Sequence, residues 1–137
     1  MVTPDYWGDL QVTTEQLTPA QIIQEQASAL NERTSPHIRA SVTTFGLERR
    51  FHTTLAVTVP SLNRYHLDIV TVIYPLRDYY PLVLSDDLGD PDDERSDMIC
   101  NSEQEFRDEL HQILSSNRTT DTLKSLLLLT VEEVLSL

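Results

Sequence analysis

Between Ile38 and Ile73 the apolar residues of this chain recur at every second position, and that period constrains its fold more than any other feature. Ile38, Ala40 and Val42 alternate with Arg39, Ser41 and Thr43. Phe51, Thr53, Leu55, Val57 and Val59 alternate with His52, Thr54, Ala56 and Thr58, and Tyr65, Leu67, Ile69, Thr71 and Ile73 repeat the pattern. Successive side chains of a strand point to opposite faces, so the spacing predicts three strands that bury one face and expose the other. Gly46-Leu47-Glu48-Arg49 and Pro60-Ser61-Leu62-Asn63 interrupt the runs as turns, which makes the arrangement an antiparallel meander. Tyr80, Leu82 and Leu84 predict a fourth, shorter strand, and Pro81, which lacks an N–H, marks it as an edge.

A slip of one residue would turn each apolar set to the wrong face, so parity restricts the register. Pairing Ile38 with Val57 and Val57 with Leu67 keeps the core residues together. The rows Ala40–Leu55–Ile69 and Phe51–Ile73 follow, with Leu55 and Ile69 expected among the most buried residues. The opposite face would then carry His37–Thr58–His66, Arg39–Ala56–Asp68 and Thr43–His52–Val72.

Helical signals flank the strands. Thr18, Pro19 and Gln21 form a capping box with proline at the first helical position, and Ile22, Ile23, Ala27 and Leu30 recur on one helical face. Pro36 forbids continuation beyond about Arg33. Ser102 and Glu105 form a second capping box ahead of Phe106, Leu110, Ile113 and Leu114. Ser115-Ser116-Asn117-Arg118 reads as a break, and a last helix runs from about Thr120 through Leu123, Leu126, Leu127, Val131, Val134 and Leu135. The expected fold is α+β, a four-stranded antiparallel meander with an N-terminal helix and a C-terminal helical hairpin in the order α-β-β-β-β-α-α. Residues 1–16 are polar and aperiodic and read as a flexible tail carrying Tyr6 and Trp7. Residues 17–137 form one domain, with an acidic loop at 85–99.

Charge limits the partners. Ten Lys and Arg stand against 22 Asp and Glu, a formal net charge of −12. Nucleic-acid backbones and anionic membranes require clustered cations, so neither is an expected partner. The longest aliphatic run, Leu126 to Leu129, falls far short of the roughly 20 residues of a membrane span. No basic region followed by an apolar run opens the sequence, and Cys100 has no thiol partner, so a reducing cytoplasm is the expected setting.

Catalytic and metal signatures are weak. Read as a calcium loop from Asp90, the acidic segment puts Arg95 at the glycine position and Asn101 at the bidentate glutamate position, so the EF-hand pattern fails. The four histidines, His37, His52, His66 and His111, show no HxH or HxxxH spacing, and no metal or other cofactor is expected. No GxSxG occurs and three glycines are too few for a phosphate-cradling loop. The C-terminal helices resemble a helix-turn-helix in outline, but residues 102–137 carry the wrong charge sign for a DNA groove. No enzymatic activity is expected.

Two candidate sites remain. Arg39, His52, His66 and Asp68 fall on the polar sheet face, where a cleft would let them bind a small anion or a cofactor such as haem; the plain alternative is an exposed ion pair between Arg39 and Asp68 over the small Ala56. The last helix is apolar around more than one face, so Leu126 and Leu129 are expected to lie opposite its core side, where a second copy would cover them in a homodimer. The alternative is a helix central to its own core.

The stretches Leu17-Thr18-Pro19-Ala20-Gln21-Ile22-Ile23-Gln24-Glu25-Gln26-Ala27, Tyr79-Tyr80-Pro81-Leu82, Ser102-Glu103-Gln104-Glu105-Phe106 and Leu114-Ser115-Ser116 resemble a family of small uncharacterised bacterial proteins over most of residues 17–129. The resemblance implies no activity. In size, acidity and helix-flanked sheet the chain is also similar to secretion chaperones and immunity proteins, though its strand order departs from the usual secretion-chaperone pattern. The expected function is a non-catalytic protein–protein interaction protein of adaptor, immunity or chaperone type; the alternative is a small-ligand binder on the polar sheet face.

Overall fold

The computed structural model describes residues 3–12, 16–89 and 97–135, with side chains in the last helix described as far as Thr130. Helix α1 spans Pro19–Thr34, and strands β1 (Arg39–Leu47), β2 (Arg50–Val59), β3 (Tyr65–Pro75), β4 (Leu82–Asp86) and β5 (Asp97–Cys100) follow. Helices α2 (Glu103–Leu114) and α3 (Asn117–Leu135) follow the sheet. The five strands pair antiparallel in sequence order, β1-β2-β3-β4-β5. The class is α+β, but the sheet has one strand more than the four expected. Asp97-Met98-Ile99-Cys100 pairs with β4, so β4 is interior and Pro81 stands just before it rather than marking an edge. Four residues directly after an acidic run offer only two cycles of alternation, too few to stand out. Most of the acidic loop, residues 90–96, lies outside the described residues.

The helix starts follow their sequence signals. Thr18 Oγ1 accepts from the Gln21 N–H at 3.1 Å while Gln21 Oε1 accepts from the Thr18 N–H at 2.8 Å. Ser102 Oγ accepts from the Glu105 N–H at 3.2 Å. The expected break at Asn117-Arg118 is shorter. Ser116 takes over the turn, its carbonyl accepting from the Thr120 N–H at 2.9 Å, and α3 begins at Asn117.

The core lies between one sheet face and the helices. Ile22, Ile23 and Ala27 of α1, with Phe106, Leu110 and Ile113 of α2, join Leu55, Val57 and Val59 of β2 in one buried cluster. Leu55 and Ile69 are each 2% exposed, as the pattern predicts. Leu126 is only 7% exposed and belongs to this cluster, so the core takes the side chain expected on the outside. Leu129, expected on that outer side with it, is exposed, and so is Leu128. A helix turns 100° per residue, and the sequence alone does not say where the apolar arc of a leucine run begins.

The β1–β2 hairpin and a bulge between β2 and β3 shift the expected register. β1 and β2 join through a two-residue turn in which Glu48 and Arg49 have φ of 53° and 72°, so Leu47 opposes Arg50 and Ala40, not Ile38, opposes Val57. Positive φ at both central residues is the requirement of the hairpin turn whose twist matches the strands. Gly46, read as part of the turn, is inside β1; a Cβ there would come within 3.2 Å of the Phe51 ring. Its smallness makes room for that ring.

β2 and β3 keep the expected pairing from Val59–Tyr65 to Ala56–Asp68, then meet a bulge between Leu55 and Ala56. Leu55 opposes Val70, and Ile69 is the additional residue. A bulge places two residues against one and inverts the alternation beyond it. Ile69 and Val70 are both buried, and Val72 and Tyr74 follow them into the core, so Thr71 and Ile73 face outward. The expected rows Phe51–Ile73 and Thr43–His52–Val72 are replaced by Phe51–Tyr74 and His52–Ile73.

Candidate functional site

The registers sort the outward-facing residues into rows across the sheet. At one end Arg39 opposes Thr58, which opposes His66. Next come Ser41, Ala56 and Asp68, then Thr43, Thr54, Thr71, Ser85 and Asp97. This third row is bonded laterally, Thr54 Oγ1 to Thr71 Oγ1 at 3.1 Å and Ser85 Oγ to Asp97 Oδ1 at 2.7 Å. At the other end Phe45, His52, Ile73, Val83 and Ile99 cross all five strands, beside Leu47, Arg50 and Pro75.

The four expected ligand-binding residues therefore do not share a site. Arg39 lies in the row of His66 but is separated from it by β2, and the two-residue register shift removes it from Asp68. Asp68 pairs with His66 instead, Nε2 to Oδ1 at 3.0 Å, with both side chains more than half exposed. Such an exposed pair contributes under about 1 kcal/mol. His52 is at the opposite end, stacked on Phe45 with ring centroids 4.7 Å apart and planes 10° from parallel. Among the described residues, no group of three His, Cys, Asp or Glu stands close enough to hold a metal ion.

The apolar end of the open face is what sequence reasoning missed. Phe45 is 56% exposed and Ile99 70%, while Ile73 and Val83 are half-buried between them. Arg50, Ile73, Pro75, Pro81, Val83 and Ile99 border a shallow cleft of about 310 Å³. A neighbouring cleft of about 520 Å³ shares Pro75 and adds Leu76, Arg49, Arg77 and Asp78. Leu76 is 60% exposed. Three of the ten Lys and Arg residues of an acidic chain thus rim one apolar surface. The signal was present in the sequence as Phe45, Ile73, Val83 and Ile99, but only the bulge and the short β5 bring these residues into one row.

A second recess of about 470 Å³ opens between α1 and α2 and is lined by Ile22, Gln26, Arg33, Arg107, Leu110, His111, Leu114, Ser115 and Thr120. Its lining holds two arginines and a histidine but no carboxylate. Arg107 is already bonded to Glu103, Nε to Oε2 at 3.3 Å, and Arg33 and His111 stand in the last turns of their helices, where cations complement the carbonyl ends. Nearby, the buried Tyr80 hydroxyl has no hydrogen-bond partner among the described residues, and burial, reinforced by the Glu103 carboxylate, pushes its pKa up to about 12.

No described helix is long and apolar enough to cross a membrane. Comparison with protein-family models, curated proteins and solved structures finds no match to this chain in any of the three.

Proposed function

We propose that this protein is a non-catalytic interaction module of the cytoplasm that docks a segment of another polypeptide on the open face of its sheet. The observation that carries the reading is the row Phe45–His52–Ile73–Val83–Ile99, which crosses five strands on the face opposite the buried core. Exposed apolar surface gains on the order of 25 cal/mol per Å² when covered, and contiguous patches with polar rims mark interaction sites. Arg49, Arg50 and Arg77 at the rim select the partner's charge, favouring a segment with carboxylates beside aromatic or aliphatic side chains.

Selection of displayed random peptides on the full chain tests the reading. Acidic sequences with an aromatic residue should be enriched, and Ile99→Asp, on the exposed edge strand, should abolish their binding. Peptides that bind the variant as well as the parent would place the docking surface elsewhere and overturn the proposal.

The recess between α1 and α2 supports a second reading, a small-ligand binder for an anion with an apolar body, with Arg33, Arg107 and His111 meeting its charge. This moves the ligand site away from Arg39, His52, His66 and Asp68. Organic carboxylates or phosphates should then raise the melting temperature of the parent but not of Arg33→Glu. An equal rise in both would discard the recess as the site.

A further inference from the structure

We infer that the open sheet face receives the N-terminal tail of a second copy of this chain, so that two copies exchange tails in a homodimer. The inference rests on the docking reading above and names its occupant.

The tail has the chemistry that the face selects. Thr3-Pro4-Asp5-Tyr6-Trp7-Gly8-Asp9-Leu10-Gln11-Val12 places two aromatics, a leucine and a valine beside two aspartates. Within one copy these apolar side chains are left in water: Tyr6 is 81% exposed, Trp7 79%, Leu10 75% and Val12 90%. Among the described residues nothing covers them, and a second copy supplies the same surface. The tail also has local order. Asp5 Oδ1 accepts from the Trp7 N–H and Asp9 Oδ1 from the Gln11 N–H, each at 2.9 Å. These turns commit two amides of the tail, so it is suited to insert side chains into a face rather than to pair as an added strand along an edge.

The two surfaces are complementary in polarity and in charge. Tyr6, Trp7 and Leu10 match an apolar row of Phe45, Ile73, Val83 and Ile99 beside Leu76. Asp5 and Asp9 match the rim of Arg49, Arg50 and Arg77, in a chain whose net charge of −12 would otherwise hold two copies apart. Aromatic anchors in an apolar pocket with arginine beside them are the composition of binding hot spots.

Trp7 is the only tryptophan, so its fluorescence reports the tail directly. In the full chain its emission should shift to shorter wavelength as concentration rises from nanomolar to high micromolar, in step with sedimentation from monomer to dimer. Ile99→Asp and the double change Arg49→Glu with Arg50→Glu should each weaken association by at least about tenfold. Both sites are exposed, and far-ultraviolet circular dichroism checks that the variants fold. A short-wavelength emission that persists on dilution in a monomer would mean the tail docks on its own chain and would overturn the exchange. Emission characteristic of water at every concentration would overturn tail docking altogether. If other acidic aromatic peptides still bind in an Ile99-dependent way in that case, the docking face survives and only this occupant falls.

Discussion

The side chain of Asn31 and the backbone of Ala40 exchange two hydrogen bonds, Asn31 Nδ2 donating to the Ala40 carbonyl at 3.0 Å and the Ala40 N–H donating to Asn31 Oδ1 at 2.7 Å. β1 is an edge strand, and Ala40 presents its backbone groups away from β2. The Asn31 amide thus stands in for a neighbouring strand at that one position and fixes α1 to the sheet edge. An unpaired buried backbone group costs about 1–3 kcal/mol. Asn31→Ala should lower stability by that amount in urea unfolding, and Asn31→Asp should be destabilising too because a carboxylate offers no donor to the Ala40 carbonyl. A loss below about 0.5 kcal/mol for both would show that water replaces the amide without cost.

The β3 bulge separates neighbours that straight alternation would treat the other way round. Val72 is fully buried and Ile73 faces the open side. Val72→Ala should cost roughly 1.5–3 kcal/mol, the scale of burying a valine side chain, whereas Ile73→Ala should cost under about 1 kcal/mol. The reverse order would mean that the strand runs without the bulge.

Asp87 gives the stability a pH dependence of its own. Burial raises its pKa above the ordinary 3.8; the carboxylates of Asp68, Asp86 and Asp97 add to the rise, and the Thr71 hydroxyl, donating at 2.7 Å, opposes it. The folded state therefore holds this proton more tightly than the unfolded state does. Its contribution falls as pH climbs from 3.8 through the folded value, where ionisation begins to cost stability. Asp87→Asn retains an oxygen for Thr71 and should melt higher than the parent at neutral pH, the advantage vanishing as the pH is lowered to 3.8 and below. A variant that melts lower at neutral pH would show that the charged hydrogen bond outweighs the desolvation.

Cys100 should be inert in the folded protein. It is fully buried opposite Leu82, and burial first, then Glu109 and Glu105, pushes its thiol pKa up to about 11. The thiolate is the reactive form, so alkylation at neutral pH should run more than about a hundredfold slower in the folded chain than in denaturant. Equal rates would require β5 to detach from β4 in the native state.

Alternation, helical spacing and capping residues were enough to specify the three helices and four of the five described strands, because all act over a few residues; β5 is too short for alternation to show. Thr18 with Gln21 and Ser102 with Glu105 start their helices by bonding to the nearest free amides, and Phe51 through Val59 has the two-residue repeat of a strand whatever lies around it. Leu55 and Ile69 were legible as core for the same reason. What the tertiary structure decided is which residues meet across strands and which faces are covered. Gly46 resembles a turn residue until the Phe51 ring lies over it, the bulge at Ile69 turns Val70, Val72 and Tyr74 into the core in place of Thr71 and Ile73, and the start of α3 at Asn117 sets the rotation that brings Leu126 inward. Each of these choices minimises free energy over contacts far apart in sequence, and the apolar row from Phe45 to Ile99 is their joint product.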